Sequence, residues 1–284
     1  MLAPPPATPP ALSPAPPPAP AQRAEGRLDL AFRREGGQTR LERFYQEGCL
    51  KARLPRAPET VVVALNLSGG IAGGDRLETA LTASAGAAVT FTTQAAERLY
   101  RALDTPARVV TRLHAARGAR LHYLPQETIL FDRFALMRSL DIALHGDAEF
   151  LGLESLVFGR LAMGEAIRAG MLRDQISLRR DGKLLWRDIT RLDGDVAALL
   201  ARPGVAGGAR AMASLFGTGG QLAERLPALR AALAGAVAGA SWNGEMLLAR
   251  ILAPDAATLR AILARALRAL RALPGTALPC VWQE

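Results

Sequence analysis

The stretch that says most about the fold is ISLRRDGKLLW, at residues 176–186. An alternating run of apolar and polar residues precedes Asp181-Gly182, and a largely apolar run follows it. Asp-Gly between two such runs is a strong signal for a two-residue hairpin turn, because both residues tolerate the positive φ that the turn requires. We therefore predict two antiparallel strands that meet at Asp181-Gly182.

Short runs of the same kind occur upstream of this hairpin. Alternation of apolar and polar residues with a period of two is typical of a strand with one buried face. Such strands at a spacing of roughly 8–12 residues favour a mostly antiparallel β body. The runs lie at residues 28–33, 61–65, 89–93, 109–113, 121–123 and 136–144.

The last third of the chain has helical periodicity. Leucine and isoleucine recur every three or four residues from Asp255 to Leu273, with Asp255 suited to the N-cap and Pro274-Gly275 to the helix end. We expect this stripe to face the core. A second leucine repeat lies at 222–233, and Pro227 interrupts it, so we expect that helix to begin at the proline. Glu245 to Leu252 is predicted to form a strand between the two helices.

These patterns predict a mainly β fold, a mostly antiparallel β body with a few C-terminal α-helices. Residues 25–284 are expected to form a single β-rich domain whose helical section begins near residue 221. Residues 1–24 are expected to be a disordered tail, because ten of the nineteen prolines lie within the first 22 residues. This tail lacks the charged start and apolar centre of a signal peptide, so we expect a cytoplasmic protein.

Composition excludes several classes of protein. No run of about 18 uncharged apolar residues is present, so a membrane-spanning helix is not expected. The net charge is +9, but arginine is spread along the chain rather than clustered, which disfavours a nucleic-acid-binding face. Cys49 and Cys280 are too few for a disulfide framework, and His114, His122 and His145 have no metal-motif spacing.

The segment NLSGGIAGGD, at residues 66–75, is the most distinctive local feature. Its four glycines permit positive φ and close approach of the backbone. A phosphate-binding loop would need Lys and Ser or Thr where Asp75-Arg76 stands, and a carboxylate there would repel phosphate. Two interpretations stay open: a tight loop between strands, or a loop that presents Asp75 at a groove or channel.

Two further segments place carboxylates beside large apolar residues. LPQETILFD, at 124–132, contains Glu127 and Asp132, and Glu154 and Glu165 flank Arg160. A carboxylate in such surroundings is paired, protonated or bound to a cation. An ion pair to Arg160 and a weak, exchanging cation path are both compatible with the second segment. No serine lies in a GxSxG motif, and no nucleophile–base pair is evident.

Five segments in this order resemble the UreD family of urease accessory proteins, called UreH in some organisms. The resemblance covers residues 27 to 284, and the motifs are specific only in combination. They are LNLSGGIAGGDRL at 65–77, TTQAAERLYR at 92–101, LPQETILFD at 124–132, GRLAMGE at 159–165 and RRDGKLLWRD at 179–188.

The resemblance implies a protein that is not an enzyme. UreD-like proteins bind apo-urease, which consists of UreA, UreB and UreC, and bridge it to UreF and the GTPase UreG. They form dimers of UreD-UreF-UreG heterotrimers that deliver nickel to the urease active site. The resemblance therefore implies no tightly bound cofactor, only transient nickel(II) in an internal passage, and a mainly β body with a few helices.

Carboxylates and water hold nickel(II) less tightly than thiolates or imidazoles do, which suits a protein that must release the ion. We expect Asp75, Glu154 and Glu165 to be passage or rim carboxylates, followed by Glu127 and Asp132. Each could instead form an ion pair that sets the shape of a loop at a docking surface. The competing functions are a β-rich enzyme with two converging carboxylates and a nucleic-acid binder with a continuous basic face.

Overall fold

The computed structural model describes residues 23–160, 164–271 and 278–283. The tail predicted for residues 1–24 therefore lies outside the described residues, except for Arg23 and Ala24, which lead into the first strand. The helix end predicted at Leu273, Pro274 and Gly275 also lies outside them.

The described residues form strands, three α-helices and a short 3₁₀ turn at Cys280–Trp282. The strands and helices, in chain order, are β1 (Glu25–Glu35), β2 (Gln38–Gly48), β3 (Leu50–Arg53), β4 (Thr60–Asn66), β5 (Arg76–Ala83), β6 (Ala88–Thr93), β7 (Glu97–Leu99), β8 (Ala107–Ala115), β9 (Arg120–Tyr123), β10 (Thr128–Leu130), β11 (Phe134–Leu144), β12 (Glu149–Phe158), β13 (Gly170–Arg180), β14 (Lys183–Gly194), α1 (Val196–Ala201), β15 (Ala211–Thr218), α2 (Gly220–Ala232), β16 (Val237–Trp242), β17 (Leu247–Ala253) and α3 (Ala256–Leu270).

Two sheets face each other. The first sheet has the strand order β14-β13-β11-β8-β5-β1-β2. The second sheet has the order β16-β17-β15-β12-β9-β6-β4-β3, and the short strands β7 and β10 pair beside β12. The long strands from β4 to β13 alternate between the two sheets, so the chain winds as a two-sheeted β-solenoid.

Neighbouring strands of this winding are parallel, and the expectation of a mostly antiparallel body is wrong in that respect. β5, β8 and β11 pair in parallel in the first sheet, and β4, β6, β9 and β12 do so in the second. A period of two marks a strand with one buried face, but it does not reveal which strand lies beside it. Here the next strand in the chain lies in the opposite sheet, so its sheet neighbour is one full turn away.

Antiparallel pairs occur at the margins of the solenoid. β1 pairs with β2, and β13 pairs with β14 around Asp181-Gly182, which confirms the predicted hairpin. Asp181 has φ +50° and Gly182 has φ +80°, as a turn with two positive φ angles requires. β15, β17 and β16 extend the second sheet by antiparallel pairing.

The apolar residues are divided between two cores. The larger core lies between the inner faces of the sheets, where Leu30, Phe32 and Leu121 are fully buried. The second core lies between the outer face of the second sheet and helices α2 and α3. The leucine stripe of α3 is buried there, as predicted, and Asp255 accepts the Thr258 N–H at 2.7 Å as the N-cap.

Helix α2 differs from its sequence prediction, and strand β12 is absent from the sequence predictions, each for a physical reason. Helix α2 begins at Gly220 and runs through Pro227. Because Pro227 is exposed, water can hydrate the carbonyl that the proline leaves without a donor. Strand β12 shows no alternation because α2 and α3 cover its outer face while the first sheet covers its inner face. None of the three α-helices in the described part of the chain is long and apolar enough to cross a lipid bilayer.

A buried arginine joins the end of α3 to the second sheet. Arg271 is 2% exposed, and its Nη2 lies 2.6 Å from Oε1 of Glu59. Its Nε donates to Nδ1 of His122 at 3.1 Å, and Nη2 also donates to the Thr90 hydroxyl. These contacts reach residues far apart in the chain, so Arg271 fixes the C-terminal helix against the solenoid.

We expect Arg271→Met to lower the free energy of unfolding by about 3–5 kcal/mol, because the half-buried carboxylate of Glu59 then lacks a positively charged partner. Urea unfolding followed by circular dichroism measures this change. The matched control is Arg33→Met, which breaks the exposed Arg33–Glu35 pair and should change stability by less than about 1 kcal/mol. Equal effects of the two substitutions would contradict the anchoring role of Arg271.

Candidate functional site

A cavity of about 320 Å³ lies between the inner faces of the two sheets. Leu67 and Arg98 line its rim and are exposed, so the cavity opens to solvent on that side. Most of the lining is apolar. The polar side chains of the lining include Asn66, Glu97, Gln126, Thr128, Arg138 and Glu154.

The glycine-rich segment forms part of this rim, where the chain crosses from β4 to β5. Gly70 has φ +144°, and a Cβ there would lie 2.4 Å from the Tyr100 ring and 2.8 Å from the Arg98 carbonyl oxygen. Only glycine fits this position without displacing its neighbours. The rim of the cavity therefore depends on backbone packed directly against Tyr100 and Arg98.

Asp75 ties the end of this loop to the chain. Its Oδ1 accepts the Ala24 N–H at 2.8 Å and its Oδ2 accepts the Ala72 N–H at 2.7 Å. Asp75 is 4% exposed and is not part of the cavity lining. The side chain satisfies two backbone donors and so holds the loop shape that the rim needs.

Glu154 reaches across from the second sheet to Arg138 of the first. Its Oε2 lies 2.8 Å from Nη1 of Arg138. Arg138 is paired in the sheet register with Asp174 and binds it bidentately at 2.9 and 2.6 Å, and it donates to the Thr128 hydroxyl at 3.2 Å. One guanidinium thus holds two buried carboxylates, one from each sheet. In this Arg138 triad, Arg138 and Glu154 line the cavity.

Burial raises the pKa of Glu154 to about 7, although the charge of Arg138 lowers it and that of Asp174 raises it further. Desolvation disfavours the charged form of any carboxyl group removed from water. Burial therefore opposes the ionised form of Glu154, and the ion pair with Arg138 favours it.

A second, much smaller recess lies on the other side of the triad. It shares Arg138 and Glu154 with the cavity and is also lined by Asp174, Asp188 and Arg250. Arg250 and Asp188 form an ion pair at 2.7 Å, and both are partly exposed. The Arg138 guanidinium consequently stands between the cavity and a recess that leads to this surface pair.

Glu97 is a second carboxylate of the cavity. The amide of Asn66 donates to both of its carboxylate oxygens at 3.2 Å. Burial raises the pKa of Glu97 to about 7, against the lowering effect of the Asn66 hydrogen bond. Both residues belong to the segments that carry the family resemblance, but the alternation of their strands gave no sign that they meet.

Sequence reasoning also missed Arg138 and Asp174. Each occupies an inward position of an alternating strand, between Leu136 and Leu140 and between Leu172 and Ile176. A charged residue where the pattern requires an apolar one is the signal that could have identified them, since a buried charge needs a partner.

Asp132 and Glu165 lie together near the outer surface. Arg160 binds Glu165 at 2.9 Å, which is the ion pair considered for this segment, and Glu165 accepts the Asp132 N–H at 3.3 Å. The Arg160 hydrogen bonds lower the pKa of Glu165. Burial raises the pKa of Asp132, but the backbone donors of Ala169, Arg168 and Arg133 outweigh it and the pKa is lowered.

Glu127 is in a different environment from the other four carboxylates. Its Oε2 lies 4.0 Å from Nη1 of Arg260 on α3, and its backbone carbonyl accepts the Glu97 N–H at 2.9 Å. Of the five carboxylates predicted for a passage, the cavity lining contains only Glu154. Within residues 23–160, 164–271 and 278–283, no three His, Cys, Asp or Glu side chains converge as a ready metal site.

Comparison with a family model and comparison with individual proteins point to the same family. A family model described as UreD urease accessory protein matches residues 24–283. Urease accessory protein UreD of Rhizobium etli is 44% identical over 263 residues, which cover 92% of this chain and 96% of that protein. The UreD of Xanthobacter autotrophicus is 47% identical over 265 residues, covering 92% and 90%, and that of a Methylobacterium species is 45% identical over 273 residues, covering 92% and 95%.

The match extends from the first described residues to the last ones, and it includes every segment that forms the cavity rim and the Arg138 triad. Since the family model and these relatives both span nearly the whole chain, the chain belongs to the UreD family of urease accessory proteins.

Proposed function

We propose that this chain is a non-catalytic scaffold that binds apo-urease and, with UreF and the GTPase UreG, mediates insertion of nickel(II) into the urease active site. Membership of the UreD family supports the urease accessory role. The observation that carries the nickel-transfer role is the cavity between the sheets, with Glu97 and Glu154 in its wall. In the proposed assembly two UreD-UreF-UreG heterotrimers associate as a dimer.

The chemistry of the cavity suits brief contact with a divalent ion. Its wall offers carboxylate, amide and hydroxyl oxygens, from residues such as Glu97, Gln126 and Thr128. Oxygen ligands hold nickel(II) less tightly than imidazole or thiolate ligands, so an ion can move on. The opening at the glycine-rich rim gives it access from solvent or from a partner protein. Nickel is the cargo here and not a resident cofactor.

The Arg138 triad controls passage beyond the cavity in this proposal. The guanidinium occupies the space between Glu154 and Asp174, so an ion that binds Glu154 has to displace it. When Arg138 moves away, a divalent cation can compensate the negative charges of the two carboxylates. The smaller recess then becomes continuous with the cavity. Asp188 and Arg250 mark the far side of this route.

Protonation of the cavity carboxylates adds a second control. With its pKa raised to about 7, Glu97 holds a proton for part of the time at neutral pH, and burial raises the pKa of Glu154 as well. An incoming divalent ion binds the ionised form and releases that proton, so affinity for the ion rises with pH across this range. Of the other four predicted carboxylates, Asp75, Asp132 and Glu165 fix the loops around the rim and the outer surface, and Glu127 lies near Arg260 of α3.

Affinity capture of urease by the chain, with and without UreF and UreG, tests the scaffold part of the proposal. We expect the chain to retain apo-urease and to recruit UreG only when UreF is present. Failure to bind urease in either condition would contradict the scaffold role, whatever the result for nickel.

We expect Glu154→Gln to reduce urease activation about tenfold or more while leaving assembly of the accessory complex intact, because the amide keeps the volume but loses the cation-binding charge. Urease activity and nickel content in cells that express the variant measure the effect, and co-purification measures assembly. Glu149→Gln is the matched control, since Glu149 lies on the same strand and pairs with Arg120 at the surface. Full urease activation in cells that express Glu154→Gln would show that Glu154 does not lie on the route of the nickel ion.

We expect Glu97→Gln to raise stability above pH 7 by about 3 kcal/mol. The folded-state pKa of about 7 exceeds the ordinary value of 4.5, so the native state retains a proton that the unfolded chain releases. Stability of the wild type therefore falls as pH rises from 4.5 to about 7, and the glutamine variant avoids this fall. Thermal unfolding from pH 4 to pH 9 measures the difference.

The gain should vanish below pH 4.5, where both states of the wild type are protonated. Glu78→Gln provides the control because Glu78 pairs with Arg112 at the surface, and its loss should change stability by less than about 1 kcal/mol. A gain for Glu97→Gln that does not depend on pH would show that Glu97 is not a buried titrating group.

A further inference from the structure

We propose that His114 and His145 form a binding site for a borderline divalent transition-metal ion, such as Ni(II), Cu(II) or Zn(II), on the outer face of the first sheet. The site is separate from the cavity and does not depend on the transfer function proposed above. It uses two of the three histidines of the chain, which lie 31 positions apart in sequence and share no metal motif.

The parallel register of the solenoid brings the two side chains together. His114 lies on β8 opposite Ala143 of β11, and His145 follows β11 two residues further on. Leu113 and Leu144 face the core, so their neighbours His114 and His145 both lie on the outer face. Diagonal neighbours on adjacent strands are within reach of ring side chains.

The separation of the two rings fits chelation of one ion. Their centroids lie 4.9 Å apart, with the ring planes at 50° to each other. Two imidazoles on one tetrahedral ion, with metal–nitrogen bonds of about 2 Å, place their ring centres about 5 Å apart. A simple pair of stacked rings would be nearly parallel, and these rings are not.

His114 has a nitrogen without a partner. Its Nδ1 is buried, and no described residue forms a hydrogen bond with it. A buried polar atom left in this way is uncommon in folded proteins, and this nitrogen is open to an additional ligand. Burial lowers the pKa of His114, and the neighbouring His145 lowers it further, so the imidazole is neutral at pH 7 and its lone pair is available.

His145 has the partner that a metal-binding imidazole usually requires. Its Nδ1 lies 3.5 Å from Oδ1 of Asp181, which leaves Nε2 for the ion. Asp181 is held in place by the Gly146 N–H at 3.1 Å. Metal-bound histidines commonly donate their second ring N–H to a carboxylate, which fixes the ring and increases its basicity.

The remaining coordination positions are open to water. The His145 side chain is 52% exposed, and Ala143, which lies opposite His114 in the register, is small and exposed. Two imidazoles with water ligands suit Ni(II), Cu(II) and Zn(II) better than Mg(II) or Ca(II), which prefer oxygen. Arg117 packs beside Gly146 and its positive charge opposes a cation, so coordinate bonds rather than electrostatic attraction hold the ion.

The test uses the untagged full-length chain, titrated with NiCl₂ and with CuCl₂ under isothermal calorimetry. We expect one ion per chain, and electron paramagnetic resonance of the copper form should reveal coupling to two imidazole nitrogens. His145→Ala and His114→Gln should abolish this binding, and Asp181→Asn should weaken it about tenfold. Circular dichroism melting checks that each variant is folded; His145 is exposed enough that its substitution should leave the fold intact.

Glu154→Gln is the matched control, because it alters the cavity and leaves both histidines in place. It should bind the ion at the two histidines as the wild type does, which separates this site from the cavity. Unchanged binding by His145→Ala, or a copper spectrum without imidazole coupling, would overturn the proposal. Urease activation is not part of the readout, so the transfer function can fail while this site stands.

Discussion

Burial of the two inner sheet faces against each other is the constraint on which the rest of the structure depends. Each long strand from β4 to β13 lies in the sheet opposite to the strand before it, so its neighbour within a sheet comes about one turn of the solenoid later in the chain. Apolar residues such as Leu30, Leu121 and Leu140 fill the space between. The transfer of this area from water stabilises the fold, and the loops at the ends of the strands are positioned as a consequence.

The Arg138 triad is the polar exception inside this apolar space. Removing two carboxylates and a guanidinium from water is costly, and an apolar cluster of equal volume would stabilise the sheets as well or better. The triad lies between the cavity and the second recess, and in the proposed function it stands on the route of the nickel ion. The charges that oppose close packing of the sheets are also those that a passing divalent ion would meet.

The candidate site was partly readable from residue types. Glu154 is recognisable from the sequence as a carboxylate among apolar residues, and it does line the cavity. Arg160 with Glu165 was one of two stated alternatives, and the ion pair is present. Arg138, Asp174 and Glu97 were missed, because a charge on an alternating strand identifies its face but not the residue across the core from it.

The sequence by itself determined the mainly β character, the hairpin at Asp181-Gly182 and the buried stripe of α3, because each follows from local periodicity and turn chemistry. Only the tertiary structure decided which strands are neighbours, that most of them are parallel, and that Glu97, Arg138 and Glu154 meet in one cavity. It also decided that His114 and His145 touch. The reason is physical: these contacts join residues about one solenoid turn or more apart, and no local preference of the chain specifies how far away its neighbour in the sheet lies.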